Sequence, residues 1–242
     1  MCGIVGYGSL QESDNYLVKK INYKQSHRGP DSQGFYISKC KKVSLAMSRL
    51  AILDINYGHQ PMTLSKEQLS IVFNGEIFNS LEIKNYLVEK FNENFISSHS
   101  DTEVILRLYK HKGIDAFKEL NGMFSFIIFD ENSDKLIFAR DRFGIKPLVF
   151  KKTNNSIIIA SEVQAISNSF NKLKINETAI IEYVSFGFIS APNTTYTEIH
   201  KLPHGNVGIF CLKTGKLSIS SWPGSNINSN KIISRLNRFI TK

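Results

Sequence analysis

From Met123 onward the sequence breaks into short apolar runs separated by turn signals. That pattern points the chain toward folds built on antiparallel sheet. The runs are Met123–Phe129, Lys135–Ala139, Pro147–Phe150 and Ser156–Ala160, with Asp130-Glu-Asn-Ser-Asp134 as the hairpin loop between the first two. A last pair, Asn206–Leu212 and Lys216–Ser220, is joined through Thr214-Gly215. The first half mixes both periods. Short strands are predicted at residues 3–7, Gly34–Ile37, Val43–Met47 and Ser70–Phe73. A helix is predicted near Ser13–Lys24, where Leu17 and Ile21 lie one turn apart. A second stacks Ile83, Leu87 and Phe91, and a third puts Val104, Ile105, Leu108 and Tyr109 on one face with Asp101 as its N-cap. Short helices at Glu162–Ser167 and Glu177–Phe186 precede the final strand pair. Strands with helices clustered between them mean an α+β fold, and two sheets packed between helical layers is one arrangement that satisfies the pattern.

Composition excludes several classes. With 242 residues and a hydrophobic fraction of 42%, the chain can bury a sizeable core. No apolar run approaches the roughly 20 residues of a membrane span. The N-terminus lacks a basic region followed by an apolar stretch, so a cytoplasmic location is the expectation. A formal charge of +9 raises nucleic acid or an anionic membrane surface as a partner. The lysines are scattered, however, and their densest cluster is Lys39, Lys41 and Lys42, which reads as a solvated surface. No nucleic-acid or membrane partner is expected. Cys2, Cys40 and Cys211 are far apart and lack metal or redox spacing, so they read as reduced thiols, Cys40 in a polar turn and Cys211 as a small core residue.

Cys2 has a chemistry the other two cannot have. Removal of Met1 would leave a thiol and a free α-amine on one residue. The amine has a reference pKa of about 7.7–8.0, can take the thiol proton, and can later return it to a leaving amine. Gly3 and Gly6 flank Ile4 and Val5, allowing close approach beside a buried strand. Phe73-Asn74-Gly75-Glu76-Ile77 follows a predicted strand and offers an amide, a flexible N–H and a carboxylate in succession. Taken singly, Asn74-Gly75 is an ordinary turn signal, Arg49 a surface ion-pair partner and Asp101 a helix cap.

Together these segments resemble the class II glutamine amidotransferase domain, in particular the N-terminal half of the asparagine synthetase family. The matching stretches are Met1-Cys-Gly-Ile-Val-Gly6, His27-Arg-Gly-Pro-Asp31, Ser48-Arg-Leu-Ala-Ile-Leu-Asp54, Gly58-His-Gln-Pro-Met62 and Phe73-Asn-Gly-Glu-Ile-Phe-Asn79. Ser100-Asp-Thr-Glu-Val104, Leu120-Asn-Gly-Met-Phe-Ser-Phe126, Ala139-Arg-Asp-Arg-Phe-Gly-Ile-Lys-Pro-Leu148, Ala160-Ser-Glu-Val163 and Lys201-Leu-Pro-His-Gly205 continue in order. Pro30 favours the asparagine synthetase branch over sugar-directed or purine amidotransferases.

The resemblance implies a four-layer αββα sandwich of the N-terminal nucleophile hydrolase type over residues 1–222. It implies Cys2 as the nucleophile toward glutamine, and Asn74 and Gly75 as oxyanion donors. Arg49 would hold the substrate α-carboxylate, Asp101 and Glu76 the α-ammonium, and the Ile52 backbone a pocket wall. Arg140-Asp141-Arg142-Phe143-Gly144 would be scaffold. No metal or cofactor is implied for this half-reaction. ATP and Mg would belong to a synthetase domain carrying a Ser-Gly-Gly-x-Asp-Ser loop, which this sequence lacks.

Residues 223–242 read as a linker, Pro223–Asn230, and the start of such a domain. Ile232, Ile233, Leu236, Phe239 and Ile240 form one stripe of a short helix over Lys231–Thr241, which needs something to pack on. The functional expectation is a glutaminase that passes ammonia to a synthetase domain or subunit, with a homo-oligomer also possible. The alternatives are an inactive amidotransferase-like interaction or regulatory subunit and, on charge alone, a nucleic-acid or membrane-surface binder.

Overall fold

The computed structural model describes residues 1–50, 58–97 and 100–222. Two six-stranded antiparallel sheets lie face to face. The first contains β1 (Gly3–Ser9), β2 (Ser32–Ile37), β3 (Val43–Arg49), β8 (Val149–Lys152), β9 (Ser156–Ala160) and β10 (His200–Lys201), in the order β10-β8-β9-β1-β3-β2. The second contains β4 (Met62–Leu64), β5 (Leu69–Ile77), β6 (Gly122–Asp130), β7 (Lys135–Arg140), β11 (Asn206–Cys211) and β12 (Leu217–Ser221), in the order β12-β11-β7-β6-β5-β4. Helices α1 (Asn15–Lys24) and α4 (Val163–Ser167) cover the first sheet. Helices α2 (Ser80–Phe91) and α3 (Asp101–Lys112) cover the second. Helix α5 (Glu177–Phe186) follows them at the periphery.

Strand periodicity explains the four layers. Along β6, Phe126 and Ile128 point to the helix-covered side, while Ile127 and Phe129 point between the sheets. Along β9, Ile157 and Ile159 face the inter-sheet core, and Ile158 and Ala160 face α1 and α4. Both faces are buried, so the runs look continuously apolar instead of alternating. Gly6 of β1 lies over Ile127, where an added Cβ would sit 3.0 Å from the isoleucine methyls. Burying Ile127 contributes roughly 1.5–3 kcal/mol.

Several expectations need correction. Helix α1 starts at Asn15, and Asp14 caps it by accepting from the Leu17 N–H at 2.9 Å. Asp101 is not the cap of α3; Ser100 holds that position and Asp101 is the first helical residue. The helix is not two-faced, for every residue from Asp101 to Tyr109 is buried. Its polar side is covered by the 92–97 segment, whose Ile96 and Ser97 N–H groups donate to Glu103. Strand β5 does not stop at Phe73. Asn74, Gly75 and Glu76 stay in the ladder opposite Ser125, Phe124 and Met123, so pairing with β6 overrides the Asn-Gly turn signal. Cys211 is half-buried rather than part of the core. The short strands β4 and β10 carried too few residues to register as a pattern. Ile52, the linker and the 231–241 stripe lie outside the described residues.

Candidate active site between the two sheets

Cys2 sits just before the first rung of the β1–β3 ladder, where Gly3 pairs with Ser48. That register brings it beside Arg49 and Leu50 at the end of β3. The Leu50 N–H lies 3.4 Å from the Cys2 Sγ, and the thiol lies 3.7 Å from the Leu50 carbonyl oxygen. From the facing sheet, β5 contributes Asn74, whose Oδ1 accepts from the Cys2 backbone nitrogen at 3.1 Å. In the chain as numbered, Met1 is joined to that nitrogen.

Asn74 is only 2% exposed, yet its Nδ2 has no hydrogen-bond partner among the described residues. A buried amide donor left unpaired costs about 1–3 kcal/mol, so this N–H is available to an oxygen brought into the cavity. Gly75 follows it. A Cβ there would lie 2.2 Å from the Met123 carbonyl oxygen, so only glycine lets β5 keep its pairing at this point.

Cys2, Arg49, Asn74, Gly75, Glu76 and Asp101 all line one cavity. Arg49 is 7% exposed, and its carbonyl accepts from the Asp31 N–H at 3.1 Å. Gly29, just upstream, packs so closely that a Cβ would fall 2.2 Å from the Ser48 carbonyl oxygen. The Arg28-Gly-Pro-Asp31 segment therefore braces the strand end that carries Arg49.

Asp101 enters from the N-terminus of α3, and its Oδ2 accepts from the Ile77 N–H at 3.1 Å. Burial pushes its carboxyl up to about 6, and Glu76 nearby adds to this, while the backbone N–H donors of Ile77 and Thr102 oppose it. Glu76 itself is exposed at the rim. The cavity thus carries a buried guanidinium and a pair of carboxylates beside a thiol, an arrangement able to read both charges of a free amino acid.

The structure therefore brings together the described residues assigned to the site from the sequence: Cys2, Arg49, Asn74, Gly75, Glu76 and Asp101. Sequence reasoning assigned no role to Gln60, Lys146 or Arg28. Gln60 Oε1 accepts from the Phe73 N–H at 2.6 Å, and its Nε2 donates to Thr102 Oγ1 at 3.1 Å, bridging β5 to α3. Lys146 lines the cavity from the loop after β7. Asp141 anchors that loop: its carboxylate accepts from the N–H groups of Phe124, Phe143, Ile145 and Lys146. All lie in matched motifs, but a bridge between distant segments leaves no mark in the local pattern.

A family model described as a glutamine amidotransferase domain matches residues 1–222. The chain belongs to that family. The amidotransferase domain is 37% identical over 214 residues to glutamine-hydrolyzing asparagine synthetase 1 of Bacillus subtilis (strain 168), covering 85% of this chain and 33% of that protein. It is 38% identical over 223 residues to putative glutamine-hydrolyzing asparagine synthetase 2 of Methanocaldococcus jannaschii, covering 84% and 42%. The chain thus spans a third to two-fifths of these relatives. In fold it resembles the allosteric regulatory enzyme of purine biosynthesis, at 20% identity and a TM-score of 0.69 over 94% of this chain and 50% of that one. Glutamine phosphoribosylpyrophosphate amidotransferase of B. subtilis gives 19% and 0.67, over 92% and 50%. The four-layer αββα sandwich is the fold of this domain.

Proposed function

We propose that the domain hydrolyses glutamine to glutamate and ammonia through a thioester on Cys2. With Met1 removed, the α-amine of Cys2 takes the thiol proton and the thiolate attacks the side-chain amide carbon. The oxyanion is received by Asn74 Nδ2 and the Gly75 N–H. Collapse breaks the C–N bond, the leaving nitrogen takes the proton from the Cys2 ammonium, and ammonia departs. Water, deprotonated by the amine, then adds to the thioester and releases glutamate and the thiol. Arg49 holds the α-carboxylate, while Asp101 and Glu76 hold the α-ammonium.

The observation that carries this reading is the two-ended use of Asn74. One end holds the nitrogen that becomes the base, and the other is a buried donor with no partner among the described residues. Losing an oxyanion donor typically costs ~100–1000-fold in turnover. The deciding experiment is glutaminase turnover of Cys2→Ala beside the wild type, with intact-mass trapping of the acyl-enzyme. Wild-type turnover in Cys2→Ala overturns the assignment. A folded wild type without activity, from which Met1 is demonstrably absent, favours the interaction-subunit reading instead.

The ammonia would pass to a domain or subunit that activates an acceptor carboxylate, and ATP and Mg would be bound there. Two observations support a docked partner. The relatives are more than twice the length of the matched region. Helix α5 also leaves Ile181, Tyr183, Val184 and Phe186 exposed, with exposed Phe188 just beyond. That much clustered apolar surface marks an interface more often than a free surface. Self-association through the same face is the competing outcome, and the oligomeric state in solution separates the two.

A further inference from the structure

Cys2 precedes the first ladder pair of β1, and a chain end without such anchoring frays. Here its backbone carbonyl is gripped by a side chain that does not line the cavity. Arg28 Nε donates to the Cys2 carbonyl oxygen at 3.0 Å, and Arg28 Nη1 is paired with Glu162 Oε1 at 2.8 Å. The arginine side chain is 8% exposed, so it is held by these contacts and not by solvent. The next residues are fixed by the same two segments. Ser161 Oγ accepts from the Ile4 N–H at 3.0 Å, and the Ser161 N–H donates to the Ile4 carbonyl at 3.1 Å. Gln25 Oε1 accepts from the Glu162 N–H at 3.1 Å, and its Nε2 donates to the Ile4 carbonyl at 3.3 Å.

The nucleophilic residue is thus clamped at both backbone ends, its nitrogen by Asn74 and its carbonyl by Arg28. Arg28 in turn depends on Glu162 for a fixed direction, because a guanidinium forked between a carbonyl and a carboxylate has one orientation that serves both. Neither Glu162 nor Gln25 lines the glutamine cavity.

We infer that Glu162 is a positioning residue for the reaction, acting through Arg28 on the carbonyl of Cys2 to set the thiol and α-amine relative to the bound amide. The inference rests on the reading of Cys2 as the nucleophile. Proximity gains collapse with displacements near 1 Å, so Glu162→Gln should lower kcat by roughly 10–100-fold. The KM for glutamine should change less than threefold, because no substrate contact is touched. A structural role alone would not move the second readout, the rate of Cys2 alkylation by iodoacetamide against pH. In Glu162→Gln that profile should shift while circular dichroism stays that of the wild type.

The test uses the full chain with Met1 removed, comparing wild type, Cys2→Ala and Glu162→Gln. If Cys2→Ala is inactive while Glu162→Gln keeps the wild-type kcat and alkylation profile, the inference fails and the nucleophile reading stands. If Cys2→Ala is active, both fall. Should Glu162→Gln not fold, Arg28→Lys carries the same expectation, since an ammonium keeps the charge but cannot fork between the two oxygens. Wild-type kcat and alkylation in that variant would overturn the inference equally.

Discussion

Asn74 joins the two sheets at the reactive residue: its Oδ1 takes the Cys2 N–H at 3.1 Å, and its Nδ2 stays buried without a partner among the described residues. In the proposed mechanism one side chain would so serve both the nucleophile and the site of developing charge. Asn74→Asp keeps the shape and the acceptor but removes the donor. Its kcat for glutamine hydrolysis should fall ~100–1000-fold with KM nearly unchanged. Arg49→Lys should show the opposite split, a raised KM, because the planar fork matched to a carboxylate is lost. Steady-state kinetics on both variants checks the assignment, and reversed behaviour would exchange the two roles.

Asp101 gives the site a pH dependence. Its carboxyl is raised from 3.8 to about 6, burial being the main cause. The folded state therefore binds the proton more tightly than the unfolded state does. The resulting stability is fully present below pH 3.8 and is lost as pH rises through about 6. Keeping the carboxylate ionised at neutral pH costs on the order of 3 kcal/mol. Asp101→Asn should thus raise the Tm of the empty domain at pH 7.5 while weakening glutamine. In the wild type, KM should rise as pH falls below about 6, as the proposed acceptor of the substrate ammonium is neutralised. A lower Tm for Asp101→Asn, or a wild-type KM flat from pH 7.5 to 5, would contradict this.

Much of this architecture was legible because strand burial on both faces writes itself as apolar runs, and β6, β7 and β9 fell close to their expected positions. The candidate residues could be grouped for another reason: they occupy collinear motifs whose chemistry is mutually complementary, and those described line one cavity. What local pattern missed were relations across the fold. The Asn74-Gly75 turn signal lost to nine rungs of β5–β6 pairing. Asp101 looked like a cap because a carboxylate at a helix start usually is one, but its Oδ2 accepts from Ile77 at the end of β5. Gln60 and Glu162 were silent, since each acts on a segment it does not adjoin in sequence.

Maturation should gate the activity. While Met1 is attached, the Cys2 nitrogen is a peptide N–H that donates to Asn74 and cannot accept a proton. Met1 itself is 59% exposed. A preparation shown by intact mass to retain Met1 should have little or no glutaminase activity, recovered on treatment with methionine aminopeptidase. Full turnover with Met1 retained would show that some other group serves as the base.

Helix α3, and with it Asp101, is tied to the preceding segment by ion pairs to Glu93. Glu93 is 7% exposed and faces Arg107, Lys110 and His111, all from α3. Burial alone would raise its carboxyl, but hydrogen bonds from Lys110 and His111 and the charge of Arg107 outweigh this and lower it to about 2. Arg107 also binds Glu103, which fixes the N–H groups of Ile96 and Ser97 just before the α3 N-terminus. The depressed carboxyl contributes stability that is present above its ordinary 4.5 and lost as pH falls from there toward about 2. Glu93→Gln removes the counter-charge shared by buried Arg107 and the neighbouring Lys110, so it should lower the Tm at pH 7 and flatten the fall of Tm between pH 4.5 and 3. It should also raise KM more than it lowers kcat, because the affected helix presents Asp101 and not Cys2. Thermal melts across that pH range, paired with glutaminase kinetics at pH 7.5, test both effects. An unchanged Tm with wild-type kinetics would mean the cluster is a solvated surface feature that holds neither the helix nor the carboxylate at its start.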